Sequence, residues 1–251
     1  MSAPVRLEVS DGIGVVTLDR PATGNAVDLE LVRSLGDVLR LADDDASVRV
    51  VLLRAAGKSF CVGGDLRAMN RAPDRAAFIH QLATEAHDAV RTWSAMSTPV
   101  VGAVQGAAAG AGLSFVLLCD IVVAAESANF VTAYTSVGLT PDCGQSWLLP
   151  RAVGVPRALE LTLMPRRIDS AEASRLGFVH RVVAAKNLVA ESEAVAKELA
   201  RGPSIALGHA RRLVRAAEAE AFSAHLDLEA ATITRSAATE EAGGAIKRFL
   251  M

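Results

Sequence analysis

From Thr92 to Cys119 the chain carries no charged residue. As a single helix that run would be long enough to cross a bilayer; in any other conformation it belongs at the centre of a packed core. Pro99, Gln105 and the glycines Gly102, Gly106, Gly110 and Gly112 interrupt it, because proline removes a backbone donor and glycine admits tight turns. The run therefore reads as strand, turn and helix start inside a globular core.

Its neighbours extend that reading. SVRVVLLRAAG (47–57), PVVGAVQG (99–106) and CDIVVAAE (119–126) are short apolar runs rich in β-branched residues, the mark of strands covered on both faces. Helical stretches separate them, which gives an alternating α/β order. Upstream, VRLEVS and IGVVTLDR flank Asp11-Gly12 and read as a hairpin. Asn25 stands where it would cap a helix carrying Leu31, Val32, Leu35, Val38, Leu39 and Ala42 on one face. PRALELTLM and SAEASRLG read as short helices, the second closed by Gly177, before the apolar run FVHRVV. From about Lys186 the pattern turns helical, with Ala206, Ala210, Leu213 and Ala217 on one stripe and Phe222, Leu226, Ala230 and Ile233 on another. The expected division is a core over 1–185 and a C-terminal helical oligomerisation region over 186–251.

Composition excludes several classes. With 26 basic and 28 acidic residues in 251, a net charge of −2 and 51% apolar residues, neither disorder nor a nucleic-acid or membrane-surface partner is expected. Cys61, Cys119 and Cys143 are odd in number and include no CxxC pair, so neither a disulfide framework nor a zinc knuckle is expected. The start MSAPVRLEVSDG has no apolar core of a signal peptide; a reduced, cytoplasmic protein is the expectation. Familiar motifs fail. GKS at 57–59 lacks the earlier P-loop glycine, since Leu52 stands there; Phe115 replaces the third glycine of a dinucleotide fingerprint, and Val116 the last of a nucleophile elbow. His80, His87, His180, His209 and His225 show no metal-ligand spacing and read as surface or helix residues.

What holds is a pair of glycine-containing turns, SFCVGGDLRAM (59–69) and VQGAAAGAGLSFVLLCD (104–120), each following a strand and opening toward a helix. Backbone N–H groups freed at such turns can converge on one oxygen and stabilise an anion that develops there. A tight strand-to-helix connection alone would also account for the glycines.

Together and in this order these segments, with LDRPATGNAVD (18–28), ANFVTAYTSVGLTPDCGQSWLLPRAVG (128–154) and RRIDSAEASRLGFVHRVV (166–183), resemble the enoyl-CoA hydratase/isomerase (crotonase) superfamily. The resemblance implies an α/β fold, a spiral of repeated ββα units with a C-terminal helical layer. It also implies an acyl-CoA or enoyl-CoA thioester whose carbonyl is held by the N–H groups of Gly64 and Ala111. Ala22, Val62, Asp65 and Leu66 are the implied CoA contacts, and Met69, Ser114 and Tyr134 the implied acyl pocket. A homotrimer or dimer of trimers is implied too, with Lys247 and Phe249 reaching a neighbour's CoA. The apolar pattern of the closing AIKRFLM reads either as an interface, with Ile246, Phe249 and Leu250 exposed on a lone subunit, or as a tail packed on its own subunit. No metal or redox cofactor is expected, CoA entering as part of the substrate.

Hydratases of this family carry two glutamates, and the matching positions here are Ser114 and Tyr134. Without both carboxylates, water addition lacks its acid/base pair. One carboxylate remains, Asp142 in GLTPDCGQSW, at the position where the single-carboxylate branch, of the Δ3,Δ2-enoyl-CoA isomerase and phenylacetate-pathway epoxide isomerase type, places its acid/base group. Asp142 reads either as that group or as the cap of a helix starting near Gly144. The leading expectation is a double-bond isomerase. A hydratase with an atypical site and a non-catalytic acyl-CoA binder stand as alternatives. Asp120, within an apolar run, is expected to be hydrogen-bonded and structural, and Trp147 to be either packing or a substrate wall.

Overall fold

The computed structural model describes residues 3–216 and 219–251. Asp11 and Gly12 both take positive φ, 52° and 80°, the two-residue turn whose twist suits a hairpin. They set β1 (Val5–Ser10) antiparallel to β2 (Ile13–Leu18). The hairpin opens a six-stranded sheet that continues in parallel through β3 (Val50–Ala55), β4 (Val100–Val104), β6 (Ile121–Ala125) and β9 (Arg181–Val183). A second sheet of short strands joins β5 (Ala107–Ala109), β7 (Asn129–Val131) and β8 (Ile168–Asp169).

The continuous apolar runs are strands buried on both sides. Val51, Leu53, Val100, Val104, Val122 and Ala124 join the core shared with α1 (Leu29–Asp44) and α3 (Arg75–Ala95). The alternate residues Val50, Leu52, Val101, Ala103, Val123 and Ala125 meet Leu188, Val195, Ala196 and Ala200 of α8 (Leu188–Arg201). Burying a Leu or Val fully is worth about 1.5–3 kcal/mol, so this second face anchors the start of the C-terminal helices on the large sheet.

The uncharged run becomes the last turn of α3, then β4, β5 and α4 (Ala111–Leu118). The next turn of the chain repeats it: β6, β7, a 3-10 turn at Tyr134–Val137, then α5 (Gln145–Val153) and α6 (Val155–Leu163). Each round leaves one strand in each sheet and then a helix, which is the expected ββα spiral. Among the described residues no helix is long and apolar enough to cross a membrane. α7 (Ser170–Leu176) ends at Gly177 with φ 95°, as expected of a left-handed cap.

Two local expectations are corrected. The cap of α1 is Asp28, whose carboxylate accepts from the Leu31 N–H at 2.9 Å. Asn25 is committed elsewhere: its amide donates to the carbonyls of Ala56, Ser59 and Phe60 at 2.9, 2.9 and 3.1 Å, tying the N-terminal turn to the first glycine turn. In α9 (Ser204–Ala216) the expected stripe points outward: Ala206 and Ala210 are exposed, Leu213 is 75% exposed, and Ala217 lies outside the described residues. The inward face carries Arg211, with Arg215 beside it. Asp120 accepts from the Val100 N–H at 2.8 Å, from Arg211 Nε at 2.7 Å and from Arg215 Nη2 at 2.7 Å. A carboxylate at a strand end beneath a helix requires such partners, and satisfying it outranks burying alanines. Asp120 is structural, as expected.

α10 (Ala219–Ala237) packs along α3 and buries Phe222, Leu226, Ala230 and Ile233. α11 (Glu240–Leu250) lies on α2 (Leu66–Arg71) and on the 3-10 turn. Ile246, expected at the surface, is fully buried against its own subunit, Leu250 is half-buried, and Phe249 is 67% exposed.

Candidate active site

The two glycine turns are clamped together through backbone. Cys61 N–H donates to the Ala107 carbonyl at 3.1 Å, and Ala109 N–H donates to the Cys61 carbonyl at 2.9 Å. Close approach is possible only without side chains: a Cβ on Gly112 would sit 2.1 Å from the Cys61 carbonyl oxygen, and one on Gly106 2.0 Å from that of Lys58. Ala111 is the first residue of α4, where helix geometry leaves the N–H without an intrahelical acceptor. Gly64 is passed over by the backbone pairing around it, in which Val27 N–H donates to the Gly63 carbonyl and Asp65 N–H to the Val27 carbonyl. Among the described residues neither the Gly64 nor the Ala111 N–H has a protein acceptor, and both residues line one cavity of about 540 Å³.

Asp142 lines the same cavity and is 9% exposed. The Tyr134 hydroxyl donates to its carboxylate Oδ1. Burial first, and then the Asp142 charge, hold the Tyr134 phenol well above its ordinary pKa, so it remains a donor. The Asp142 backbone is tethered to the second glycine turn as well: Ser114 Oγ donates to the Asp142 carbonyl at 3.2 Å, and Gln145 Nε2 donates to the Gly110 carbonyl at 3.0 Å.

Asp142 does not cap α5. That helix begins after Gly144 with no side-chain cap of its own, and its free amides are taken from another helix. The Gly144 and Ser146 N–H groups donate to Glu229 of α10 at 2.8 and 3.0 Å, and the Ser146 hydroxyl donates to the same carboxylate. The N–H of Cys143 donates to His87 Nε2 at 3.0 Å. Burial lowers the His87 pKa, with Asp142 acting against the shift, so the ring stays neutral and Nε2 accepts. Burial pushes the Glu229 carboxyl up to about 7, partly offset by its hydrogen bonds to Ser146 and Gly144.

The five histidines lie where expected, on helices or at the surface, but two of them do more than that reading assigns. His87, on α3, is 1% exposed beneath Cys143, and His180, though exposed, accepts at Nδ1 from the Val122 N–H at 2.9 Å. Glu229 is not among the residues expected from the sequence, although a signal is present: it shares the apolar face of Leu226, Ala230 and Ile233, where an unpartnered carboxylate is costly.

The remaining expected residues divide. Ala22, Val62, Asp65, Leu66 and Phe249 line the outer cavity, and Met69 lines it where its Cε covers Gly64. Phe249 thus reaches its own subunit's cavity. Lys247 is exposed and does not line it. Ser114 is fully buried and lies off the cavity; it tethers Asp142 instead. Trp147 is packing, stacked near Phe222 and His225 with the Arg151 guanidinium 3.5 Å over its ring. Asp65, a second carboxylate in the wall, caps α2 through the Arg67 and Ala68 N–H groups. Ile79, Leu82, Ala86 and Ile233, all buried, supply an apolar end to the cavity.

A pair of free amides and one buried carboxylate on a mainly apolar cavity can bind a carbonyl, stabilise the anion formed from it, and move one proton. The family model for enoyl-CoA hydratase/isomerase matches residues 8–250. The 1,2-epoxyphenylacetyl-CoA isomerase of Escherichia coli is 36% identical over 223 residues, covering 88% of this chain and 85% of that protein. A probable enoyl-CoA hydratase of Rhodobacter capsulatus is 37% identical over 226 residues, covering 90% of this chain and 86% of that one. The crystal structure of an enoyl-CoA hydratase from Mycobacterium avium subsp. paratuberculosis superposes with a TM-score of 0.90 at 32% identity, covering 98% of this chain and 99% of the other. With that match along nearly its whole length, the chain belongs to the enoyl-CoA hydratase/isomerase, or crotonase, superfamily.

Proposed function

We propose that the protein is a CoA-thioester isomerase that uses Asp142 as its single acid/base group. The observation that carries the reading is the company Asp142 keeps: one buried carboxylate, free of the helix-capping duty its position suggests, on the same cavity as the Gly64 and Ala111 amides. The Asp142 carboxylate removes a proton beside the thioester carbonyl or at its vinylogous carbon. The C–H electron pair moves onto the thioester oxygen, and the two amides hold the dienolate as its charge grows. The protonated Asp142 returns the proton to the other end of the dienolate, which shifts the double bond. Water, oxidant and metal do not enter this balance.

Water addition needs a second group to handle the nucleophile, and the two positions where hydratases keep glutamates carry Ser114 and Tyr134. The isomerase relative supports the same choice. CoA would lie along Ala22, Val62, Asp65 and Leu66 with Phe249 over it, and the acyl chain toward Ile79, Leu82 and Ala86. We propose assembly as a trimer or dimer of trimers, supported by the exposed residues Val155, Leu159 and Leu163, spaced one helical turn apart on α6.

The test is Asp142→Asn, which keeps size and still accepts from Tyr134. Isomerisation of a 3-enoyl-CoA is expected to fall by about 10³-fold, within the range for general acid–base groups, while acyl-CoA binding by calorimetry is retained. A parental rate in the variant refutes the assignment. Parental hydration of a 2-enoyl-CoA matching the isomerisation rate would favour a hydratase instead.

A further inference from the structure

Directly after Asp142 the chain takes two consecutive left-handed residues, Cys143 at φ 53° and Gly144 at φ 78°. A side chain in that region costs about 1 kcal/mol or more and persists only where surrounding groups hold it. Both amides of the turn are held, each by a buried group from a distant helix. Cys143 N–H meets His87 Nε2 of α3 at 3.0 Å, and Gly144 N–H meets Glu229 Oε2 of α10 at 2.8 Å. The two side chains touch, with His87 Nε2 3.7 Å from Glu229 Oε2, and are 1% and 3% exposed. Glu229 also takes the Ser146 N–H at 3.0 Å, completing the cap that Asp142 would otherwise supply.

A turn starting at Pro141 offers Asp142 two fates. As the cap of α5 its carboxylate would fold back onto the amides of the helix. With those amides occupied by Glu229, and the turn held left-handed by His87 and Glu229 together, the carboxylate faces the cavity and the Tyr134 hydroxyl. The geometry points to His87 and Glu229 as positioning residues that aim Asp142 by occupying the backbone amides beside it. Neither lines the cavity. They act through the turn, and the inference rests on Asp142 being the acid/base group.

Glutamine at 229 has one acceptor oxygen for donors that now use two, so an amide group would face the Gly144 or Ser146 N–H and the turn would relax. Misplacing a reacting group by about 1 Å can cost up to about 10²-fold in rate. The experiment is steady-state isomerisation of a 3-enoyl-CoA by the parent, Glu229→Gln, His87→Ala, His87→Gln and Asp142→Asn. Glu229→Gln and His87→Ala are expected to lower kcat about 10- to 100-fold with KM within about two-fold, because the amides that bind the carbonyl are untouched. His87→Gln, which restores an acceptor near the Cys143 N–H, is expected to recover most of the rate.

Parental kcat in both Glu229→Gln and His87→Ala, or a His87→Ala loss that glutamine does not recover, overturns the positioning role. If those variants are parental while Asp142→Asn is dead, only this inference fails; if Asp142→Asn is itself parental, the acid/base assignment fails and takes the inference with it. Should Glu229→Gln not fold, amide hydrogen exchange on the parent decides. The Cys143 and Gly144 amides are expected to be as protected as those of β4, and free exchange at both overturns the proposal.

Discussion

Gly112→Ala isolates the backbone clamp from every side chain in the site. Gly112 is helical, the second residue of α4, so alanine suits its conformation and would gain about 1 kcal/mol of helix propensity. Against that gain stands geometry: the new Cβ would lie 2.1 Å from the Cys61 carbonyl oxygen and 2.9 Å from the Cys61 carbonyl carbon. Relief requires the two turns to part by about 1 Å, with an overpacking cost of about 1–3 kcal/mol. The propensity gain offsets part of this, so the fold survives with a net loss of about 0–2 kcal/mol. The proposed anion hole does not survive intact, because Ala111 is carried on the turn that moves and Gly64 on the turn that stays. A displacement of that size predicts a fall of about 10²-fold in kcat, or about 2.7 kcal/mol of transition-state stabilisation. The assay is isomerisation of a 3-enoyl-CoA together with a thermal melt, with Gly36→Ala as the control. That residue lies on α1, where the nearest atom to an added Cβ is Ala89 Cβ at an ordinary 3.5 Å. A Gly112→Ala enzyme with parental kcat and parental Tm would refute the reasoning, since the contact would then not constrain the two turns.

Two further predictions concern stability and the tail. Glu229 lies against His87, Asp142, Ser146 and His225. With its carboxyl raised from 4.5 to about 7, the folded state binds more protons than the unfolded chain between those values. Its contribution therefore weakens as pH rises through that window, by about 3 kcal/mol in all. His87, lowered from 6.5, works in the opposite sense, costing stability as pH falls below about 6.5. Urea unfolding of the parent and Glu229→Gln at pH 5 and pH 8, at one protein concentration, should show the parent losing more than the variant at the higher pH; an equal change sinks the prediction. Deleting residues 249–251 removes Phe249 and Leu250 from the cavity wall. It should weaken acyl-CoA binding about tenfold, about 1.4 kcal/mol, while light scattering still reports the parental mass; unchanged affinity would rule out the tail as part of the site.

What could be read before the structure was local. The strands β3, β4 and β6 announce themselves because burial on both faces leaves an unbroken apolar run. The two glycine turns are legible because close backbone approach demands glycine at fixed spacing, and Asp142 because it follows a proline in a matched segment. Asn25 misled because a polar residue ahead of an apolar stripe looks like a cap, whereas its amide serves carbonyls 31 to 35 residues away. The same limit hid Glu229 and His87. They reach the Asp142 turn across sequence separations of 85 and 56 residues, and no local spacing encodes such contacts. In α9 a long-range charge requirement at Asp120 overrode a local apolar pattern.

The chain contains a single tyrosine, and it is Tyr134, whose hydroxyl rests on the Asp142 carboxylate. Any tyrosine-selective spectroscopic label is therefore a label of this site alone. Biosynthetic incorporation of fluorotyrosine would give one fluorine resonance with no background from the other 250 residues. Its chemical shift would follow the charge on Asp142 and the arrival of a ligand in the cavity, without any engineered probe.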